Sequence, residues 1–150
     1  MLGQLDIWGK TKLERTIERI KYFEPAEGYY LAFSGGKDSI VCKELLNIAG
    51  VKYDTHYSHT TVDPPELIQY MRKYHKDVII EYPKLTMWKL IVKKRMPPTR
   101  LVRYCCSELK ENGGNNRFVI TGVRWAESTR RKNTRNIIEF DSYGSQSREA

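Results

Sequence analysis

The sequence predicts an α/β fold: a doubly wound, mostly parallel sheet with helices on both faces and right-handed crossovers. Three observations carry this. Short apolar runs and segments of helical apolar spacing alternate along the chain. The clearest run, Tyr29-Tyr30-Leu31-Ala32-Phe33, is apolar without a break, as in a strand buried on both faces of a parallel sheet. A glycine-rich hexapeptide, Ser34-Gly35-Gly36-Lys37-Asp38-Ser39, then leads into the next helical stretch, at the strand end where such sheets bind ligands.

The elements follow in order. Leu13, Ile17 and Ile20 recur at helical spacing and predict an amphipathic helix over about residues 11–24, ended by Pro25 and Gly28. After the first strand and the hexapeptide, Ile40, Val41, Leu45, Leu46 and Ile48 are expected on the inner face of a helix capped by Gly50. Val51, Tyr53, Thr55 and Tyr57 alternate as a second strand. Asp63 reads as an N-cap, with Pro64 at the first helical position and Glu66 completing a capping box. That helix should reach about His75. Residues 78–82 read as a third strand and residues 86–95 as a helix with Met87, Leu90 and Ile91 on one side. Pro97-Pro98 breaks the chain before a helix expected from about Arg100 to Glu111. Asn112-Gly113-Gly114-Asn115-Asn116 signals a turn. Residues 118–123 read as a fourth strand and 137–140 as a fifth. A single domain over 1–141 with a polar tail over 142–150 is expected.

Composition narrows the classes of function. The 150 residues are 40% hydrophobic and 11% aromatic, which suits one compact domain. No apolar run approaches the roughly 20 residues that span a bilayer, and the N-terminus has no secretion signal, so a cytoplasmic protein with no membrane partner is expected. The net charge of +8 is unevenly placed: residues 93–135 hold 12 Lys/Arg and 3 Asp/Glu. Such a segment favours an anionic partner, a phosphorylated small molecule or a nucleic-acid backbone. Cys42, Cys105 and Cys106 are too few and too close for a disulfide framework. Adjacent cysteines strain any bond between them, and Cys42 reads as a small core residue. His56 and His59 suggest a metal pair, but no third ligand lies at usable spacing, and a polar loop explains them equally well.

The hexapeptide has the chemistry of a phosphate cradle. Gly35-Gly36 lets backbone N–H groups approach an anion at a helix start. Ser34 and Ser39 add hydroxyls and Lys37 adds charge. Asp38 is the unusual member, because a carboxylate beside phosphates repels them unless a divalent cation intervenes or it caps the helix. Arg100, Arg103, Arg124, Arg130 and Arg131 fall near strand or helix ends, where forked guanidinium groups suit phosphate or sulfate oxygens. Glu127 can orient one of them.

The hexapeptide resembles the PP-loop of the adenine nucleotide alpha hydrolase superfamily, and within it the chain resembles the phosphoadenosine phosphosulfate (PAPS) reductase family. The resemblance covers about residues 29–131. It rests on SGGKDS, on Thr61-Val62-Asp63-Pro64-Pro65-Glu66 in the place of the family's Asp-Thr-Gly segment, on Arg103-Tyr104-Cys105-Cys106-Ser107-Glu108-Leu109-Lys110, and on Gly122-Val123-Arg124-Trp125-Ala126-Glu127-Ser128-Thr129-Arg130-Arg131. It implies an adenine nucleotide or sulfonucleotide held at its phosphates by residues 34–39 with Arg124, Arg130 and Arg131. Thr61, Asp63, Arg100, Arg103 and Glu127 would lie on the substrate side.

The resemblance also implies an oxidoreductase or sulfur transferase, with no catalytic residue assigned. Cys105 and Cys106 resemble the first half of the iron-sulfur ligand set of adenylylsulfate reductases. No cysteine follows Cys106, so an iron-sulfur cluster in this chain alone is not expected. The pair remains a candidate metal site or two packed thiols. The reductases' attacking thiol near the C-terminus also has no counterpart, so the family's C-terminal part is expected to be missing. Two alternatives stand beside reduction or sulfur transfer on a sulfonucleotide. One is a nucleic-acid modifying sulfurtransferase or ATP pyrophosphatase of the DNA phosphorothioation type, using Mg2+ with ATP. The other is a truncated nucleotide-binding module without turnover. A homodimer is compatible with either.

Overall fold

In the computed structural model, residues 9–110, 113–124, 133, 137 and 138 are described. The first helix, α1 (Lys12–Tyr22), starts at a capping box: Thr11 Oγ1 accepts from the Glu14 N–H, and the Glu14 carboxylate accepts from the Thr11 N–H. Ile17 and Ile20 face the core, and the Tyr29 hydroxyl donates to Ile20 O at 2.8 Å. Strand β1 (Tyr29–Ala32) leads through the glycine loop into α2 (Lys37–Ala49). Gly50, at φ 69°, closes α2 in the left-handed conformation. There follow β2 (Tyr53–Ser58), α3 (Pro65–Tyr74), β3 (Val78–Glu81), α4 (Met87–Lys94), α5 (Tyr104–Leu109) and β4 (Val119–Ile120).

The four strands are all parallel, in the order β3-β2-β1-β4, and the chain has the expected doubly wound α/β fold. From β1 the chain winds outward through β2 to β3 and then returns past β1 to lay down β4. The winding direction therefore reverses between β1 and β4. In open parallel sheets that reversal leaves a crevice at the C-terminal strand ends.

Strand alternation divides the sheet into two faces. Tyr29, Leu31, Tyr57, Val78, Ile80 and Ile120 share the core with Leu46, Ala49 and Met71 from the helices. The opposite face carries Tyr30, Asp54, His56 and Glu81, joined in one polar network. Tyr30 donates to Glu81 Oε2 at 3.1 Å and stacks on the His56 ring at 4.1 Å between centroids. His56 Nδ1 lies 2.7 Å from Glu81 Oε1, and its Nε2 meets Asp54. Arg117, just before β4, grips both oxygens of Asp54 and donates to Gly28 O at 3.1 Å. Gly113 and Gly114 press on the Tyr30 ring from the same side. This network bolts the two-residue strand β4 across β1 to β2.

Arg117 and the His56 contact hold the Asp54 carboxyl at about 2, below its ordinary 3.8. A carboxyl depressed by folding stabilises the native state above its ordinary value and stops doing so as pH falls through the depressed one. Acid unfolding is therefore expected to gather strength between about pH 4 and pH 2. Arg117→Ala should make the chain less stable at neutral pH and flatten this acid slope, read by circular dichroism across pH. An unchanged slope would show that the clasp contributes nothing.

Several expectations are corrected. Helix α3 starts at Pro65, with Pro64 before it and no side-chain cap, because the Asp63 carboxylate instead accepts from the Thr60 N–H at 2.6 Å. On α2, Val41 and Ile48 point to solvent. The buried stripe is Ser39, Leu46 and Ala49, and one helix face cannot also bury residues on its far side. The helix expected from Arg100 is only Tyr104–Leu109, since the Thr99 to Val102 turn occupies the preceding residues. The fourth strand pairs only at Val119 and Ile120. Of the expected fifth strand, Ile137 and Ile138 are exposed in a bend, and residues 139–140 lie outside the described residues, as does the tail over 142–150.

Candidate functional site

The glycine loop sits at the C-terminal end of β1, against the point where the winding reverses. Gly35 adopts φ 73°, a conformation that costs a side-chain-bearing residue about 1–2 kcal/mol. A Cβ there would lie 2.8 Å from Leu67 Cδ1, so the loop rests directly on α3. Gly36 takes the N-cap position of α2 and offers no capping side chain. Thr11 and Thr86, by contrast, cap α1 and α4 through their hydroxyls. The first N–H groups of α2 thus lack the side-chain acceptor that two other helices have. Such groups, at the positive end of a 13-residue helix, suit an anion.

The hydroxyls of the loop brace it from within. Ser39 is buried and donates to Gly36 O at 2.8 Å, while Ser34 Oγ accepts from the Gly36 N–H at 3.4 Å. Lys37 is exposed at the start of α2. Asp38 neither caps the helix nor stands alone: its Oδ2 lies 3.1 Å from Arg124 Nε. The ion pair balances the carboxylate charge beside the loop and draws Arg124 toward it from the segment that follows β4, on the far side of the crevice. Gly122 makes this approach feasible, since a Cβ at 122 would lie 3.1 Å from the Asp38 backbone carbonyl.

The segment after β2 closes the other side. Thr61 has φ 67°, unusual for a β-branched residue and a form of strain that gathers at functional loops. Its hydroxyl accepts from the Met87 N–H at 2.9 Å, fastening the start of α4 to this loop, and its N–H donates to His59 Nδ1. Burial pushes the Asp63 carboxyl up, but the Thr60 bonds outweigh it and hold the group below its ordinary value. Asp63 is therefore a buttress of the loop.

The remaining sequence-predicted residues separate. Arg100 and Arg103 are exposed ahead of α5, with Arg103 Nη2 donating to Cys106 Sγ at 3.5 Å. Cys105 and Cys106 are half-buried free thiols, and burial, then the neighbouring Cys106, pushes the Cys105 thiol up. Burial does the same to Cys42, which packs against the core. Two thiols fall short of the four ligands of an iron-sulfur cluster. Among the described residues no group of three or more His, Cys, Asp or Glu could hold a metal ion. Asp38, the one carboxylate of the loop, is engaged by Arg124. Glu127, Arg130 and Arg131 lie outside the described residues. A hollow of about 160 Å³ between α3 and β3, lined by Met71, Arg72, His75, Lys76, Val78 and Ile80, contains none of the predicted site residues.

Sequence reasoning misses three features: the close approach at Gly122, the Asp38–Arg124 pair, whose members lie far apart in the chain, and Arg117. Arg117 was not singled out at all, although the polar residues at 54, 56 and 58 on alternating positions of β2 signal a second, polar face.

The family model described as phosphoadenosine phosphosulfate reductase domain matches residues 28–148, which span every element from β1 onward. No curated protein and no solved structure matches the chain.

Proposed function

Because the chain belongs to the phosphoadenosine phosphosulfate reductase domain family, within the PP-loop adenine nucleotide alpha hydrolase superfamily, we propose that it binds an adenine sulfonucleotide in the crevice between β1 and β4, for sulfonucleotide reduction or sulfur transfer. The observation that carries this reading is the start of α2, bare of a capping side chain and set at the winding reversal. An anion there meets backbone N–H groups, the helix dipole and the Lys37 charge together.

In this reading residues 34–39 receive the phosphate oxygens, with Lys37 supplying a mobile ammonium. Arg124, steadied by Asp38, is placed to meet the charged end of the substrate with a planar fork that Lys could not match. Arg130 and Arg131 follow Arg124 in the chain and are proposed as further cations for that end. Thr61 and Asp63 shape the opposite wall, and Glu127, Arg100 and Arg103 are assigned to the substrate side. Cys105 is a weak nucleophile near neutral pH, because its thiol is pushed up by burial and thiolate is the reactive form.

Titration calorimetry with adenylylsulfate, its 3′-phosphorylated form and ATP tests the reading. A sulfonucleotide should bind more tightly than ATP. Lys37→Ala combined with Asp38→Ala removes one charge-assisted contact and the clamp on Arg124, and should weaken binding by on the order of 100-fold, with an unaltered circular dichroism spectrum. Equal affinity for wild type and the double variant would remove the glycine loop from consideration.

A further inference from the structure

We propose that α4 and the loop joining it to α5 form a docking surface for single-stranded nucleic acid, beside the glycine-loop crevice. This goes beyond the sulfonucleotide reading and does not depend on it. Residues 87–110 contain seven Lys/Arg and one Asp/Glu, Glu108. Among the described residues, Lys94 is the one cation of the seven paired with a carboxylate, lying 3.0 Å from Glu108. That bridge, with the Tyr104 hydroxyl donating to Met96 O at 2.6 Å, fixes α5 against the end of α4. The intervening loop is compact: Thr99 N–H donates to Val102 O, and Val102 N–H returns to Thr99 Oγ1. The turn carries Arg100 and Leu101 outward, Leu101 being 96% exposed.

On α4, Leu90 faces the interior while Trp88 is 68% and Val92 77% exposed. Spaced four apart, these two form one outward row, flanked by the exposed Lys89 and Lys93. An apolar protein partner would have to strip water from these cations without offering them counter-charge. A polyanion satisfies them and also uses the tryptophan. Bases stack on exposed aromatic rings only when they are not already stacked in a duplex, which selects a single strand. The surface is tied to the crevice, since the first turn of α4 donates to Thr61. A strand lying along Trp88 and Lys89 is thereby led toward the nucleotide site.

Fluorescence anisotropy of the full chain with a labelled oligothymidylate of about 20 nucleotides tests the proposal. Affinity should fall steeply between roughly 50 mM and 200 mM salt, and the duplex of equal length should bind more weakly. Trp88→Ala should weaken binding about tenfold without altering the salt slope. Lys89→Glu with Lys93→Glu should weaken it further and flatten that slope. Both variants should keep wild-type affinity for adenine nucleotide by calorimetry, so the two readings can fail separately. The proposal is overturned if neither variant changes oligonucleotide affinity, if duplex and single strand bind alike, or if nucleotide affinity falls along with oligonucleotide affinity. It is also overturned if the chain ignores the oligonucleotide and instead partitions onto phosphatidylglycerol vesicles or self-associates through Trp88.

Discussion

Gly35→Ala is expected to lower stability by about 2–5 kcal/mol and to remove measurable nucleotide binding. Two costs combine. The left-handed backbone at φ 73° charges any Cβ-bearing residue about 1–2 kcal/mol, and the new methyl meets Leu67 Cδ1 at 2.8 Å, an overpacking of the kind that costs about 1–3 kcal/mol. Relief comes by pushing the loop off α3, which turns the N–H groups of residues 36–38 away from a common centre. Gly50→Ala is the matched control. It has nearly the same φ, 69°, with nothing within 4 Å of its Cβ, so it should lose only the backbone share and keep nucleotide affinity. Thermal melts and calorimetry on both variants separate strain from contact. If the two variants behave alike, the packing of the loop on Leu67 has no role.

The second large effect is at Leu46. Its side chain is 0% exposed and touches the core made by β1, α2 and α3. Truncation to Ala leaves a cavity in a packed interior and should cost about 2–5 kcal/mol, a large part of the roughly 5–15 kcal/mol by which domains are stable. The melting temperature should drop by about 2–4 °C for each kcal/mol lost. Ile48→Ala, two residues on and 51% exposed, should stay within about 0.5 kcal/mol of wild type. A comparable loss at Ile48 would mean that the outer side of α2 is covered in the working protein.

The contrast between Leu46 and Ile48 shows what could be read from the chain alone. Strand β1 is legible by its continuous apolar run and β2 by its alternation, and the glycine loop because few arrangements place Gly-Gly between strand and helix. The inner face of α2 was harder. Five apolar residues compete for one stripe, and the choice depends on which way α1 and the sheet approach. Asp63 illustrates a second limit: an Asp before Pro is a good helix cap, but the Thr60 N–H claimed its carboxylate first. Arg117 and the Asp38–Arg124 pair were beyond local reading, since their partners lie 63 and more positions away and only topology brings them together.

That topology also sets an order of assembly. Arg117 reaches back 89 positions to Gly28, and Tyr30 pairs with Val119, so the edge of β1 beside β4 stays open until nearly all of the core-forming chain has been made. A nascent polypeptide carrying β1 to β3 already owns its glycine loop but not the wall that faces it. During synthesis that open edge of Tyr30 and Leu31 is unpaired strand in an apolar run, the feature most prone to wrong pairing. Long-range closure of this kind is slow. Chaperone dependence, or sensitivity to translation rate, should therefore act through β1 and not through the more local hydrogen bonds of the helices.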